Sequence, residues 1–236
     1  MQNVTRREFL NKGALLAGGG ICALTAGSGL LFPQISEASN VEFPESTCGT
    51  KNISSKKILI AYASMSGSTG GVAEAIGEVL CAAGATVDVR LANKIKDLRP
   101  YNAFVVGSAV RSDMWLPEAK NFIVANCGML KEAPVAYFLT CLTLARSTEE
   151  SRRKARSFIK PMLDAVPEVH PVDIGFFAGV LDYSKFSFGM RAVMKYKMWA
   201  KGVQEGDYRN WDAIRTWAES LHPKLMSAQP KQMAVS

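Results

Sequence analysis

The segment Ser64-Met65-Ser66-Gly67-Ser68-Thr69 sets four hydroxyl side chains around one glycine, directly ahead of Gly70-Gly71 and a helical pattern. Backbone N–H groups at a helix start point outward, and the helix dipole adds a partial positive charge there, so such a turn attracts an anion. Hydroxyls donate to anion oxygens without adding charge. The turn has no lysine, which separates it from the Walker A loop, and its glycines are not spaced as GxGxxG. It suits a single terminal phosphate ester. Other chemistry is sparse. His170 precedes a strand and His222 ends a helical pattern, so both read as surface residues and no acid–base pair stands out. Two histidines and scattered cysteines without a CxxC pair argue against a metal site.

The elements that must position this turn are legible from apolar runs. Lys57 to Ala63 is almost continuously apolar, as expected of a parallel strand buried on both faces. Thr69 to Ala83 carries Val72, Ala73, Ile76, Val79 and Leu80 at helical spacing, and Gly84 is placed to end it. Thr86–Leu91 alternates like a strand nearer the edge, and Ala103 to Gly107 is another buried strand. Pro117 opens a helix to about Cys127, and Val135–Thr140 is a fourth strand. Glu149 to Val166 reads as one helix with a basic face, Val172–Phe177 as a fifth strand, and Trp211–Leu221 as a last helix. Strands separated by helices of this length predict right-handed crossovers and a doubly wound parallel sheet. Ligands of such sheets bind beyond the carboxyl ends of the strands.

The order Tyr62-x-Ser64-x-x-Gly67-x-Thr69-x-x-x-Ala73-x-x-Ile76 resembles the flavodoxin signature for the phosphate of FMN, departing where Ala61 replaces a larger apolar residue. The resemblance implies a flavodoxin-like α/β fold, with five parallel strands in the order 2-1-3-4-5 and helices on both faces. By the same resemblance FMN is the cofactor and Ser64, Met65, Ser66, Gly67, Ser68 and Thr69 form its phosphate loop. Two further loops then flank the flavin ring. One is Ser108-Ala109-Val110-Arg111, continuing to Trp115. There Arg111 would stabilise negative charge on the reduced ring or on a substrate carboxylate. Trp115 would either stack on the ring or staple onto the following helix. The other begins Thr140-Cys141-Leu142, whose backbone would approach the ring edge, with Cys141 expected to be packing.

After the fifth strand, Ser184 to Val203 holds Lys185, Arg191, Lys195, Lys197 and Lys201 and no acidic residue. Phe186, Met190, Val193, Met194 and Met198 recur at helical spacing, with Tyr196 and Trp199 near the basic face. That is the sequence form of a membrane-surface or anionic-ligand contact, or of an ordinary surface helix with a Met-rich core face. With Phe177 to Tyr183 before it and Asp207-Tyr208-Arg209-Asn210-Trp211 after it, the region resembles the menaquinone-dependent protoporphyrinogen dehydrogenase family. This likeness runs over about residues 57–221 and includes Gly107 to Arg111. It implies an FMN oxidoreductase passing electrons from an anionic tetrapyrrole precursor to a membrane quinone. The alternatives are an electron carrier that docks a redox partner protein, and a cofactor-free binding protein that keeps the fold.

The N-terminus adds an address. Thr5-Arg6-Arg7-Glu8-Phe9-Leu10 precedes an apolar stretch from Gly13 to Phe32, and Ser36-Glu37-Ala38 offers a cleavage site. The pattern resembles a twin-arginine (Tat) export signal, which predicts a protein at the periplasmic or outer face of the cytoplasmic membrane. An uncleaved anchor is the alternative. Residues 39–56 then read as a linker, 57–222 as the FMN domain and 223–236 as a flexible tail. The remaining cysteines, Cys48, Cys81, Cys127 and Cys141, are expected as buried thiols. The 236-residue chain has a net charge of +7, and loss of residues 1–38 removes three basic and two acidic side chains, leaving +6. With so local a patch of charge, the excess points to a quinone-bearing membrane or an anionic substrate and not to nucleic acid.

Overall fold

The computed structural model describes residues 41–49 and 56–227. The signal expected over residues 1–38 lies outside them. Strand β1 is Ser46–Cys48, β2 is Lys57–Ala63, β3 is Thr86–Leu91, β4 is Ala103–Arg111, β5 is Met114–Trp115, β6 is Val135–Cys141 and β7 is Asp173–Ala178. The main sheet runs β1-β3-β2-β4-β6-β7, with β5 paired to β4. Strands β3, β2, β4, β6 and β7 are mutually parallel, which is the expected 2-1-3-4-5 order.

Strand β2 is central because it can be buried on both faces: Ile58 to Ala63 are all buried. Ile58, Ile60 and Tyr62 pack under helices α1 (Ser68–Ala82) and α7 (Trp211–Ser227), through Val72, Ile76, Ile214 and Leu221. Leu59 and Ala61 face the opposite layer of α2 (Pro117–Ala125), α3 (Cys127–Leu130), α4 (Glu149–Ser157) and α5 (Lys160–Ala165). Strand alternation thus divides one apolar run between two cores. Gly107 is a glycine because a Cβ there would overlap the Phe138 ring on the adjacent strand. A small antiparallel pair, β8 (Val180–Leu181) with β9 (Gly206–Asp207), carries α6 (Phe188–Ala200) between its strands.

The structure departs from the sequence reading at several places, each with a local cause. The helix expected over 149–166 is two helices, because Pro161 has no N–H to continue the ladder begun at Glu149. The first helical run after Pro117 ends at Ala125, with Cys127–Leu130 a separate turn. The last helix passes through Pro223 to Ser227, so the first part of the expected tail is ordered helix, with Leu225 buried. Residues 228–236 lie outside the described ones. Strand β4 continues four residues past Gly107 and folds back into β5 through Ser112 and Asp113, both at positive φ, the geometry of a tight hairpin turn. The 39–56 stretch contains β1, antiparallel to β3. Cys48 and Cys81 are joined as a disulfide, correcting the expectation of free thiols for that pair, while Cys127 and Cys141 are free.

Strand β1 also completes a buried polar cluster. Asp88, 4% exposed, accepts hydrogen bonds from Thr47 Oγ1 and Tyr101 Oη at 2.7 Å each and pairs with Lys57 Nζ at 2.8 Å. Burial alone would raise the Asp88 carboxyl, but the Lys57, Thr47 and Tyr101 contacts outweigh it and hold the carboxyl below its usual value. Burial and the Asp88 bond push the Tyr101 phenol up to about 12, so it remains a donor.

Two outcomes are expected. The Asp88 contribution is present above the ordinary carboxylate range and lost as pH falls through the lowered folded value. Asp88→Asn should therefore flatten the acid limb of a urea-midpoint profile; an unchanged profile would refute the role given to the cluster. For the disulfide, whose partners are 33 positions apart in sequence, Cys48→Ser should cost about 2–4 kcal/mol in denaturant unfolding. Alkylation of the unreduced, unfolded chain should leave Cys48 and Cys81 unmodified.

Candidate cofactor site

The turn from β2 into α1 lies at the carboxyl edge of the sheet, beside the ends of β4 and β6. Gly67 is the residue before the helix, at φ +83°, where only glycine is unstrained. A Cβ on it would also lie 2.7 Å from the Glu42 carbonyl, so the segment preceding β1 packs against the turn. Pro44 presses on Gly70, and Tyr62 Oη donates to the Pro44 carbonyl at 2.9 Å. Among the described residues no side chain caps α1, and its first turn has no acidic residue. The Ser64 hydroxyl is buried and has no hydrogen-bond partner among the described residues. An uncapped helix start with an orphaned hydroxyl fits an anion that brings its own acceptor oxygens.

The other expected residues divide by what their side chains already do. Ser66 and Ser68 are half-buried on the turn, and Met65 is exposed. Thr69 is fully buried, and its hydroxyl is shared with that of Thr140 at 2.7 Å, bolting the start of α1 to the end of β6. Ser108 donates to the Ala109 carbonyl at 2.8 Å and accepts from the Leu116 N–H at 2.9 Å, tying the hairpin base to α2. Ala109 and Val110 are half-buried along the hairpin, and Arg111 is exposed toward its tip. Trp115 is core: its ring meets Tyr137 edge-on at 5.7 Å, so it does not stand open for stacking. The exposed residue of that hairpin is its neighbour Met114. Cys141 is buried, which pushes its thiol up despite hydrogen bonds from Leu144 and Thr143, and it stays protonated packing. Leu142 opens a short 3-10 turn and packs against the cluster beneath α6. His222 is half-buried inside α7, not at a helix end, with its Nε2 lacking a partner among the described residues; His170 is exposed.

Two features of the site came from far along the chain. Arg209 Nη1 donates to the Ser68 carbonyl at 3.4 Å and lies against Gly71, bringing a cation to the start of α1. Its guanidinium is held by Asp207 at 2.6 Å and sits 4.3 Å from the Trp211 ring centre. Nothing local in Asp207–Trp211 points to a turn 141 residues away. Beside it, a cavity of about 330 Å³ opens at the carboxyl end of β7. Arg152 and Arg156 of α4, Phe176, Tyr208 and Asn210 are among its lining residues. Arg152 is paired with Glu149 at 3.0 Å. The start of α1 thus offers N–H groups and hydroxyls to an anion, and the cavity at the end of β7 offers two guanidinium groups beside aromatic rings.

Known proteins resemble this chain at the level of its domain. A family model described as a flavodoxin domain matches residues 59–207. The protoporphyrinogen IX dehydrogenase [quinone] of Leishmania major is 23% identical over 189 residues, covering 76% of this chain and 80% of that protein. Solved flavodoxins are similar too. One from the domain Archaea is 18% identical, covering 72% of this chain and 98% of its own at a TM-score of 0.42. Flavodoxin 2 of Bacillus cereus is 23% identical, covering 62% and 99% at a TM-score of 0.40. With most of its length matched by the family model, the chain belongs to the flavodoxin-domain family and is an FMN-type electron-transfer flavoprotein.

Proposed function

We propose that the chain is an FMN-dependent oxidoreductase that takes electrons from an anionic, reduced tetrapyrrole-like donor and delivers them to a membrane quinone. Bound FMN supplies the one- and two-electron chemistry. The orphaned Ser64 hydroxyl and the uncapped start of α1 fit its phosphate, so Ser64, Ser66, Ser68 and the N–H groups after Gly67 would hold the ester. Arg209 adds positive charge there while Asp207 fixes its plane. The Thr69–Thr140 bond keeps the turn and the ring-edge loop in register. Ser108 fixes the hairpin whose tip carries Arg111 and Met114, which would face a bound ring.

The single observation that carries the enzyme reading is the arginine-lined cavity at the end of β7. A carrier that only docks proteins needs no concave site with Arg152, Arg156, Phe176 and Tyr208 converging there. An aromatic donor bearing carboxylates fits those groups, because guanidinium binds carboxylate bidentately while the rings take the apolar body. The dehydrogenase likeness supports the same donor and a quinone acceptor. Each turnover would remove two hydrogens from the donor and reduce one quinone to quinol. We place the protein outside the cytoplasm; the Tat-like N-terminal residues support this, and so does the Cys48–Cys81 bridge, since disulfides persist in oxidising compartments.

The purified protein should carry one FMN per chain, and a menaquinone analogue should reoxidise it after reduction. Reoxidation by a protein partner with none by quinone would make it a carrier. Arg156→Ala should raise KM for an anionic tetrapyrrole donor roughly tenfold and leave KM for quinone unchanged. Equal effects on both would place the donor elsewhere. Ser66→Glu puts a carboxylate where the phosphate would sit and should abolish FMN retention, and Arg209→Ala should weaken FMN about tenfold in a fluorescence titration. Full retention by Ser66→Glu would refute the phosphate assignment.

A further inference from the structure

Helix α6 has two apolar faces, and only one is used. Met198 is buried and Met194 half-buried, and they pack with Leu181, Tyr183 and Val203 against Leu142 of the ring-edge loop. The expected core face is therefore narrower than its sequence: Met190 and Val193 are exposed. On the outward side Phe188, Ala192, Tyr196 and Trp199 follow i, i+4, i+8 and i+11, a single stripe along the helix. Phe188 is 91% exposed, Trp199 76% and Tyr196 70%, and the Tyr196 and Trp199 rings lie 6.2 Å apart. Soluble chains seldom leave three aromatic rings on one bare stripe.

The charges beside the stripe identify what covers it. On a helical projection Lys195 borders one side and Lys197 lies beyond Val193 on the other, and residues 184–204 contain no acidic side chain. Lys195 Nζ is 5.5 Å from the Tyr183 ring, which fixes that margin. A second copy meeting this face by two-fold symmetry would set lysine against lysine. The chain's own residues 1–38 are also net basic and gain nothing from these charges. An anionic bilayer gains from both features. Aromatic rings settle at the headgroup boundary, and flanking lysines reach anionic headgroups while their stems cover apolar surface.

We propose that α6 is an interfacial docking helix that lies along an anionic membrane surface on its Phe188–Ala192–Tyr196–Trp199 stripe. Because its inner face packs on Leu142, docking would bring the Cys141–Leu142 turn to the membrane boundary, and this last step rests on the quinone reading above.

The test uses the full-length, FMN-loaded protein with vesicles of phosphatidylglycerol and phosphatidylcholine, against phosphatidylcholine alone. Wild type should cosediment with the anionic vesicles, and less so as salt rises. Phe188→Ala combined with Trp199→Ala should bind at least tenfold more weakly, although its N-terminal residues are unchanged. Brominated lipid should quench Trp199, and the signal should disappear in Trp199→Phe. Lys195→Glu with Lys197→Glu should remove the preference for phosphatidylglycerol. Unchanged binding by the aromatic variant, equal binding to both vesicle types, or a wild-type dimer that the variant abolishes would each overturn the proposal. Turnover with a water-soluble short-chain quinone separates the two readings. If it survives while vesicle binding is absent, docking fails alone; if it is absent while the stripe still binds vesicles, the quinone reading fails alone.

Discussion

The carboxyl edge of this sheet depends on one buried contact, the hydrogen bond between the hydroxyls of Thr69 and Thr140. Thr69 lies in the first turn of α1 and Thr140 is the last residue but one of β6, and β4 runs between β2 and β6, so the bond spans the strand that separates them. Both side chains are almost fully enclosed, so neither has water as an alternative partner, and a buried hydroxyl left alone is costly. The turn before α1 therefore keeps a fixed position relative to the loop after β6. Everything proposed for the site depends on that spacing: the phosphate end would be set by α1 and the ring edge by β6. Gly107 against Phe138 performs the matching task one layer deeper, because β4 and β6 can carry a large ring between them only where the neighbouring strand has no side chain.

The fold was legible where a signal is local and repeated. Ile58 to Ala63 and Ala103 to Gly107 are apolar without interruption, and the alternation with helices then restricts the topology to few choices. The parts that escaped reading depend on pairing. Ser46–Cys48 is too short to announce itself and becomes a strand because Thr47 finds Asp88 across the ladder. Cys48 and Cys81 carry no mark of partnership, since the bridge exists only once β1 and α1 lie together. Trp115 sits in a stretch that reads as loop, but the hairpin turn at Ser112-Asp113 returns it to the core against Tyr137.

For the site, the turn at Ser64–Thr69 reads as a candidate anion cradle because hydroxyls, glycine and helix start are adjacent in sequence. Which hydroxyls remain available was not, since the partner of Thr69 lies 71 residues away. Arg209 was visible only as part of a segment without a role. On α6 the residue types were plain, but their division between an inner and an outer face follows from what the β8–β9 pair offers to pack against. Periodicity locates an amphipathic helix; it cannot say that such a helix has apolar surface to spare.

Strand β1 has a consequence for colloidal behaviour. Without it β3 would be the sheet edge, an open row of amide and carbonyl groups flanked by Val87 and Val89, which is the geometry that templates sheet-to-sheet growth between molecules. Three residues cover that edge, and they are fastened covalently to α1 through Cys48. The guard on the edge is thus coupled to thiol chemistry. In a reducing solvent the same native sheet would keep its core while losing the fastener on the strand that keeps neighbouring molecules from joining it.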